Sequence, residues 1–286
     1  MAGNRIVVGY DASTPADRAL GWAMEEAAHR GATVDLVYAL AFPAYMPAVY
    51  IVPGTVAWPD VPSREAARAL LSAAAEKARA DHPAVPVAEI VGEGSAAAVL
   101  RDCSEDADLI VVGGHSDHLI AEQVLGSVAA SVAAHAFCSV VIVRDPDPGD
   151  RPVVLGLDES AQAEEAARFA FWHATIRGVA LRAVHAWMPP ADPWIGNRFP
   201  DREETATAEL VWAKNLLAPW RAEFPAVPVE VRSVPGHPYQ VLAAEARQAR
   251  LTVVGARGRG GFRDRRLGSV TRHLLHHATG TIAVIR

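Results

Sequence analysis

Lysine is nearly absent from this chain of 286 residues: Lys77 and Lys214 are the only two, and arginine carries almost all the positive charge. Neither lysine stands in a Gly-x4-Gly-Lys-Ser/Thr setting, which removes the P-loop as a means of holding phosphate. Cysteine is as scarce, with Cys103 and Cys138 in no spaced pattern. That excludes a disulfide scaffold and fits a reducing compartment, where both read as inert buried thiols. No apolar run approaches the length of a membrane span. The opening Met-Ala-Gly-Asn-Arg leads straight into the strand-like Ile6-Val7-Val8, with no signal-peptide pattern. A cytoplasmic protein that touches no membrane is expected. The net charge of −6 lacks the basic footprint of a nucleic-acid binder.

With 51% of its residues apolar, the chain can build one large core or two ordinary ones, and an internal repeat decides for two. Arg5-Ile6-Val7-Val8-Gly9-Tyr10-Asp11 reads as a strand ending in an acid, and Ser13-Thr14-Pro15 supplies helix-start chemistry. A helix to Arg30-Gly31 and a second strand, Thr33 to Ala39, follow. A proline-rich stretch over 41–62 is too long for a tight connection. A helix from Ser63 to Ala80 precedes the strand Val85 to Val91, whose Pro86 implies an edge position. A helix near Ser95 to Cys103, the strand Leu109 to Val112, a helix from Gly126-Ser127 and the strand Val140 to Val143 complete the unit. After the turn-rich segment 145–150 the order restarts with Val153-Val154-Leu155-Gly156-Leu157-Asp158, and Ser160 repeats the cap. Asp158 lies 147 residues after Asp11, while Gly255, Gly268, Ser269 and Arg286 each lie 142 after Gly113, Gly126, Ser127 and Arg144. Four landmarks at one offset mark a tandem duplication with domains over 1–144 and 151–286 joined by 145–150. Each should be an α/β domain, doubly wound, with a mostly parallel five-stranded sheet and helices on both faces, a Rossmann-like arrangement. Ligands of such sheets bind beyond the carboxyl ends of the strands, where strand order reverses.

The stretch that reaches that point in the second half is Gly255-Ala-Arg-Gly-Arg-Gly-Gly-Phe-Arg-Asp-Arg-Arg-Leu-Gly-Ser269, between the strand Leu251 to Val254 and a helix. Glycines there let backbone N–H groups face an anion, and the helix start adds free donors and a favourable dipole. Five arginines against one aspartate give the turn a balance of +4, so it reads as a phosphate cradle. Its counterpart starts Gly113-Gly114-His115-Ser116, with serine where the second glycine belongs. Up to Gly126 it holds no arginine and two acids, Asp117 and Glu122. A strong anion site in the second half and a weak, altered or empty one in the first are therefore expected.

Gly255-x2-Gly258-x9-Gly268-Ser269 after a hydrophobic strand, with Asp158 after the first strand, resembles the ATP-binding signature of the universal stress protein family, and both halves match that family's element order. The resemblance implies a fold like that of adenine nucleotide alpha hydrolases, with ATP as ligand and Mg²⁺ accompanying its phosphates. It implies that Gly255, Gly258, Gly268 and Ser269 hold the triphosphate, that Asp158 sits by the adenosine, and that the backbone at Ala186 reads the adenine edge. Asp11, Ala39, Gly113, Gly126 and Ser127 are the corresponding positions of the first half. Arg257 and Arg259 join on charge alone. An ATP-dependent sensor or regulator in stress response with unknown protein partners is the implied function. A slow ATP hydrolase or nucleotidyl-transfer enzyme, and an interaction module without nucleotide, are the alternatives. The two halves are expected to pair as an internal pseudo-dimer through their last strands, with a homodimer as a further possibility.

Other motifs read more plainly. Asp11 and Asp158 also suit strand-end caps of the following helices. His115-x2-His118 and His273-x2-His276-His277 have chelating spacing, yet no carboxylate or cysteine completes either set, so structural use is expected and no metal site. Trp187, Trp194, Trp212 and Trp220 read as packing for the variable loop and the second helix. Ser13 and Ser160 have no His–Asp pair to make either a nucleophile.

Overall fold

In the computed structural model, residues 4–41, 64–114, 125–144, 149–188, 202–258 and 267–286 are described. The proline-rich stretch from 42 onward, the residues 115–124 that include His115, Ser116, Asp117, His118 and Glu122, Trp194, and the turn segment with Arg259 lie outside them. The chain folds as two compact units.

The first unit opens with β1 (Arg5–Gly9), α1 (Thr14–Arg30), β2 (Thr33–Leu40), α2 (Arg64–Asp81) and β3 (Val87–Glu93). It closes with α3 (Ala96–Cys103), β4 (Leu109–Gly113) and α4 (Ser127–His135). Its strands run parallel in the order β3-β2-β1-β4, with Val7 facing Asp35 on one side and Ile110 on the other. α1 and α2 pack against one another and against the strands, while α3 packs on β1 and β2 and against α4. Ile6, Val7, Val8, Ile110 and Val111 are wholly buried, as a strand covered on both faces requires. The proline before β3 does mark an edge: β3 pairs with β2 alone, and Pro86 offers only its carbonyl, to Val34 N at 2.9 Å.

The second unit contains β6 (Val153–Leu157), α5 (Ala163–Arg177), β7 (Leu181–Trp187), α6 (Arg202–Glu223) and β8 (Val229–Pro235). α7 (Pro238–Ala246), β9 (Leu251–Gly255), α8 (Ser269–His277) and β10 (Thr281–Ile285) complete the repeat. The order β8-β7-β6-β9-β10 is parallel throughout. β5 (Ser139–Val143), the last strand of the first repeat, folds with this unit. It lies antiparallel to β10, Val141 opposite Ala283, so the last strands of the two repeats do pair. Arg144, just past β5, donates through Nη1 to Ala278 O at 2.6 Å and through Nη2 to Leu275 O, closing the carbonyl end of α8. Burial lowers the pKa of this guanidinium to about 10, so it remains a cation at neutral pH.

The duplication extends to packing. A Cβ at Gly9 would lie 2.8 Å from Leu100 Cδ1, and one at Gly156 would lie 3.0 Å from Leu242 Cδ1. Both glycines thus make room for a leucine at the same place in their repeat. Helix starts differ, however. Ser13 caps α1 by accepting from Ala16 N, and Pro15 stands in the first turn. α5 begins at Ala163 after Gln162, which makes no side-chain cap, so the cap expected at Ser160 is not formed. The two C-caps, Gly31 and Gly178, share a left-handed φ of 61°, so α5 is shortened at its amino end alone. Replacing Ser13 by alanine is expected to cost about 1 kcal/mol, read as a lower urea midpoint. Ser160→Ala should leave that midpoint nearly unchanged.

Candidate functional site

Strand order reverses at β6, whose neighbours β7 and β9 carry chain to either side of it. Past their carboxyl ends the second unit assembles most of the residues expected to bind. Asp158 follows β6 directly; its Oδ1 accepts from Ser160 N at 3.0 Å, forming a local turn rather than capping α5. Its Oδ2 faces the glycine turn, since a Cβ added at Gly258 would lie 2.9 Å away. At Gly255 the added atom would meet Arg257 O at 3.1 Å, Gln162 Cβ at 3.2 Å and Ser160 Oγ at 3.6 Å. At Gly268 it would meet Gly258 N at 3.2 Å. None of these three glycines has positive φ. Close approach, not left-handed backbone, is the reason for glycine here.

The donors also differ from the expected set. Gly268 N donates to Ala256 O at 2.8 Å, and Ala256 N to Ile285 O at 2.7 Å, so neither amide is open to a ligand. Gly268 is instead the N-cap of α8, with extended backbone and no side chain to serve the helix start. Among the described residues no acceptor takes the N–H of Gly258, Ser269 or Val270. Thr271 is turned away from the crevice and donates to Gly255 O at 2.7 Å, which locks the end of β9 to α8. Arg257 is exposed beside the turn. The Ser160 hydroxyl is buried and has no partner among the described residues. A buried hydroxyl left so is costly. From sequence Ser160 reads as a repeat of the Ser13 cap, with no His–Asp pair to make it a nucleophile. The signal that could have placed it in the site is its position two residues past Asp158.

On the other wall, the last register pair of β6 and β7 is Leu157 with His185, so Ala186 and Trp187 run on paired only with β8. The same overhang occurs in the first unit, where β1 ends at Gly9 opposite Val37 and Ala39 lies beyond. His185 Nδ1 lies 3.1 Å from Leu157 O and Nε2 lies 3.0 Å from Glu209 Oε2. The imidazole thus bridges a backbone carbonyl and a carboxylate, one at each nitrogen. It thereby ties β6 and β7 to α6 just before Asp158 and Ala186. Trp212 closes over it at 4.6 Å between ring centroids. Trp187 is buried, and Trp220 takes Arg168 over its face at 5.3 Å, so these tryptophans pack as expected.

The first unit arranges the corresponding positions differently. Asp11 Oδ1 accepts from both Ser13 N and Ser13 Oγ. Ala12 between them sits at φ 62°, a strained setting for alanine. A Cβ on Gly113 would lie 2.7 Å from the Pro15 carbonyl carbon, so the first turn of α1 closes over the end of β4. At Gly126, the position of the first repeat that corresponds to Gly268, such an atom meets nothing within 4 Å among the described residues, whereas Gly268 is held against Gly258. Ser127 starts α4 as Ser269 starts α8. Tyr10 donates to Asp17 Oδ1 at 2.8 Å, and burial first and that bond second raise its pKa. Burial likewise pushes the Cys103 thiol up, in keeping with an inert thiol.

A separate cleft of about 400 Å³, lined by Lys214, Ala218, Arg221, Ala222, Pro225 and Val227, sits by the amino end of β8. It is at the opposite ends of the strands from the crevice and gathers no residue of the expected set. No helix of the described residues is long and apolar enough to cross a membrane.

Comparison with known sequences gives two matches to one family model, that of the universal stress protein family, over residues 3–144 and 151–286. A universal stress protein of Mycolicibacterium smegmatis is 35% identical over 98% of this chain and 96% of its own length. One of Mycobacterium tuberculosis is 33% identical over the same shares. Among solved structures, a universal stress protein of Archaeoglobus fulgidus matches with a TM-score of 0.64 at 16% identity, covering 99% of this chain and 96% of that one. That likeness is one of fold.

Proposed function

The chain belongs to the universal stress protein family, and from that premise we propose that its second repeat binds ATP, with Mg²⁺ accompanying the phosphates, as a sensor or regulator. The observation that carries the proposal is the crevice between Asp158 and the glycine turn. Gly258 lies against the Asp158 carboxylate, and beside it are free amides of α8 and a buried Ser160 hydroxyl that still lacks a partner. A phosphate oxygen suits all of these donors, and the helix dipole adds to their pull. Gly258, Ser269 and Val270 would donate backbone N–H bonds, with Ser160 Oγ as a side-chain donor. Gly255 and Gly268 would contribute by being small. Asp158 would take a ribose hydroxyl through Oδ2, Ala186 would offer its backbone to the adenine edge, and Arg257 and Arg259 would supply charge. Mg²⁺, when bound, would neutralise part of the phosphate charge. Ligand binding would order the turn and shift the population of a surface that partners read.

The first repeat has a closed turn of α1 over Gly113 and two acids at 117 and 122. Among the described residues, Gly126 lacks the close neighbour that Gly268 has. We therefore expect one strong site per chain. Native mass spectrometry at rising ATP should fill one equivalent well before any second. Two equivalents filling together would refute the asymmetry. If purified protein released no nucleotide on denaturation and millimolar ATP left its melting unchanged, the nucleotide reading itself would fall.

A further inference from the structure

We propose that the outer face of α8 carries a second, independent site, a two-imidazole chelate for a borderline-soft divalent ion of the zinc, nickel or copper class. His273 and His277 are one helical turn apart, and their ring centroids lie 4.2 Å from each other. Histidines at i and i+4 share a helix face and can converge on one ion. Metal–nitrogen bonds near 2.0–2.1 Å need the two ligating atoms only about 3 Å apart, a separation that side-chain rotation from this arrangement can supply.

The neighbours prepare the pair. Tyr239, in the first turn of α7, lies 4.2 Å from His273 between ring centroids, and His237, the N-cap of α7, lies 5.5 Å from Tyr239. This row of rings holds His273 from the far side while His277 stays exposed to solvent. His276 is also exposed, 6.4 Å from His277 by centroid, and turned further around the helix.

Among the described residues, no three of His, Cys, Asp and Glu converge as a metal cage. The site is therefore bidentate, with water filling the remaining positions and the ion readily exchanged. Imidazole donors select zinc, nickel and copper over magnesium and calcium, which prefer oxygen. The sequence alone argued against a metal because it looked for a third ligand. The folded chain adds the ring row that orders two.

The test uses the full chain without a tag, titrated with NiCl₂ by calorimetry at pH 7.5, with MgCl₂ as the contrasting ion. One equivalent of Ni²⁺ should bind and Mg²⁺ should not bind there. The second imidazole binds as an intramolecular partner, so His277→Ala should weaken the nickel site by about ten- to a hundredfold. His273→Gln should do the same, while His276→Ala should leave it within about twofold. His277 is exposed, so its alanine variant keeps the fold and gives a clean reading. No nickel binding by the wild-type chain, unchanged affinity in His277→Ala, or a loss confined to His276→Ala would each overturn the proposal. None of these outcomes depends on nucleotide, so the two sites stand or fall separately.

Discussion

On the proposed reading of the glycine turn, Gly268→Asp is expected to abolish stabilisation by ATP while leaving the folded state intact. Gly268 has φ −66° and ψ 157°, values any residue adopts, so the backbone accepts the change. The new Cβ would sit 3.2 Å from Gly258 N and 3.5 Å from Arg257 Cα, contacts that a shift of a few tenths of an ångström relieves. The carboxylate would then occupy the mouth of α8, the place proposed for a phosphate. Two unit charges about 4 Å apart repel by about 4 kcal/mol at an effective dielectric of about 20. Solvent screening reduces this, and a loss of about 100-fold in affinity is expected. Calorimetry with ATP, alongside circular dichroism to verify folding, reads the effect. ATP affinity within about threefold of wild type would remove the glycine turn from the site.

Phe171→Ala should produce the largest loss of stability. Phe171 lies on α5, wholly buried, and stacks on Phe224 beyond the end of α6 at 5.6 Å between centroids. Truncating a buried phenylalanine removes its transfer free energy and leaves a cavity, about 3–5 kcal/mol together. Against total stabilities of about 5–15 kcal/mol, that is enough to bring the second unit close to unfolding at physiological temperature. Denaturant melts should show the midpoint falling steeply. A shift below about 1 kcal/mol would mean that the surrounding core refills the space.

Much of this molecule could be read from its residues. The offset of 142 that relates Gly255 to Gly113 and Ser269 to Ser127 reappears in the leucines that pack on Gly9 and Gly156. Pro86 placed an edge strand correctly because a missing N–H cannot serve two neighbours. What could not be read depends on contacts between distant segments. The amide of Gly268 is taken by Ala256 O, and only the folded turn brings those two together. Ser160 lost its capping role because α5 starts later than α1, a difference that matching serines conceal. The histidine ladder needs α7 laid against α8, so spacing along one helix underestimated it.

The membership of β5 has a practical meaning. A gene cut at the seam between the copies, keeping 151–286, would yield a repeat stripped of the strand that borders β10. Its naked edge, rich in unclaimed backbone donors and acceptors, would invite a second copy or a tangle. What evolution duplicated and what the chain folds are thus different pieces, and a fragment meant to isolate the proposed nucleotide site must carry Ser139–Val143 with it.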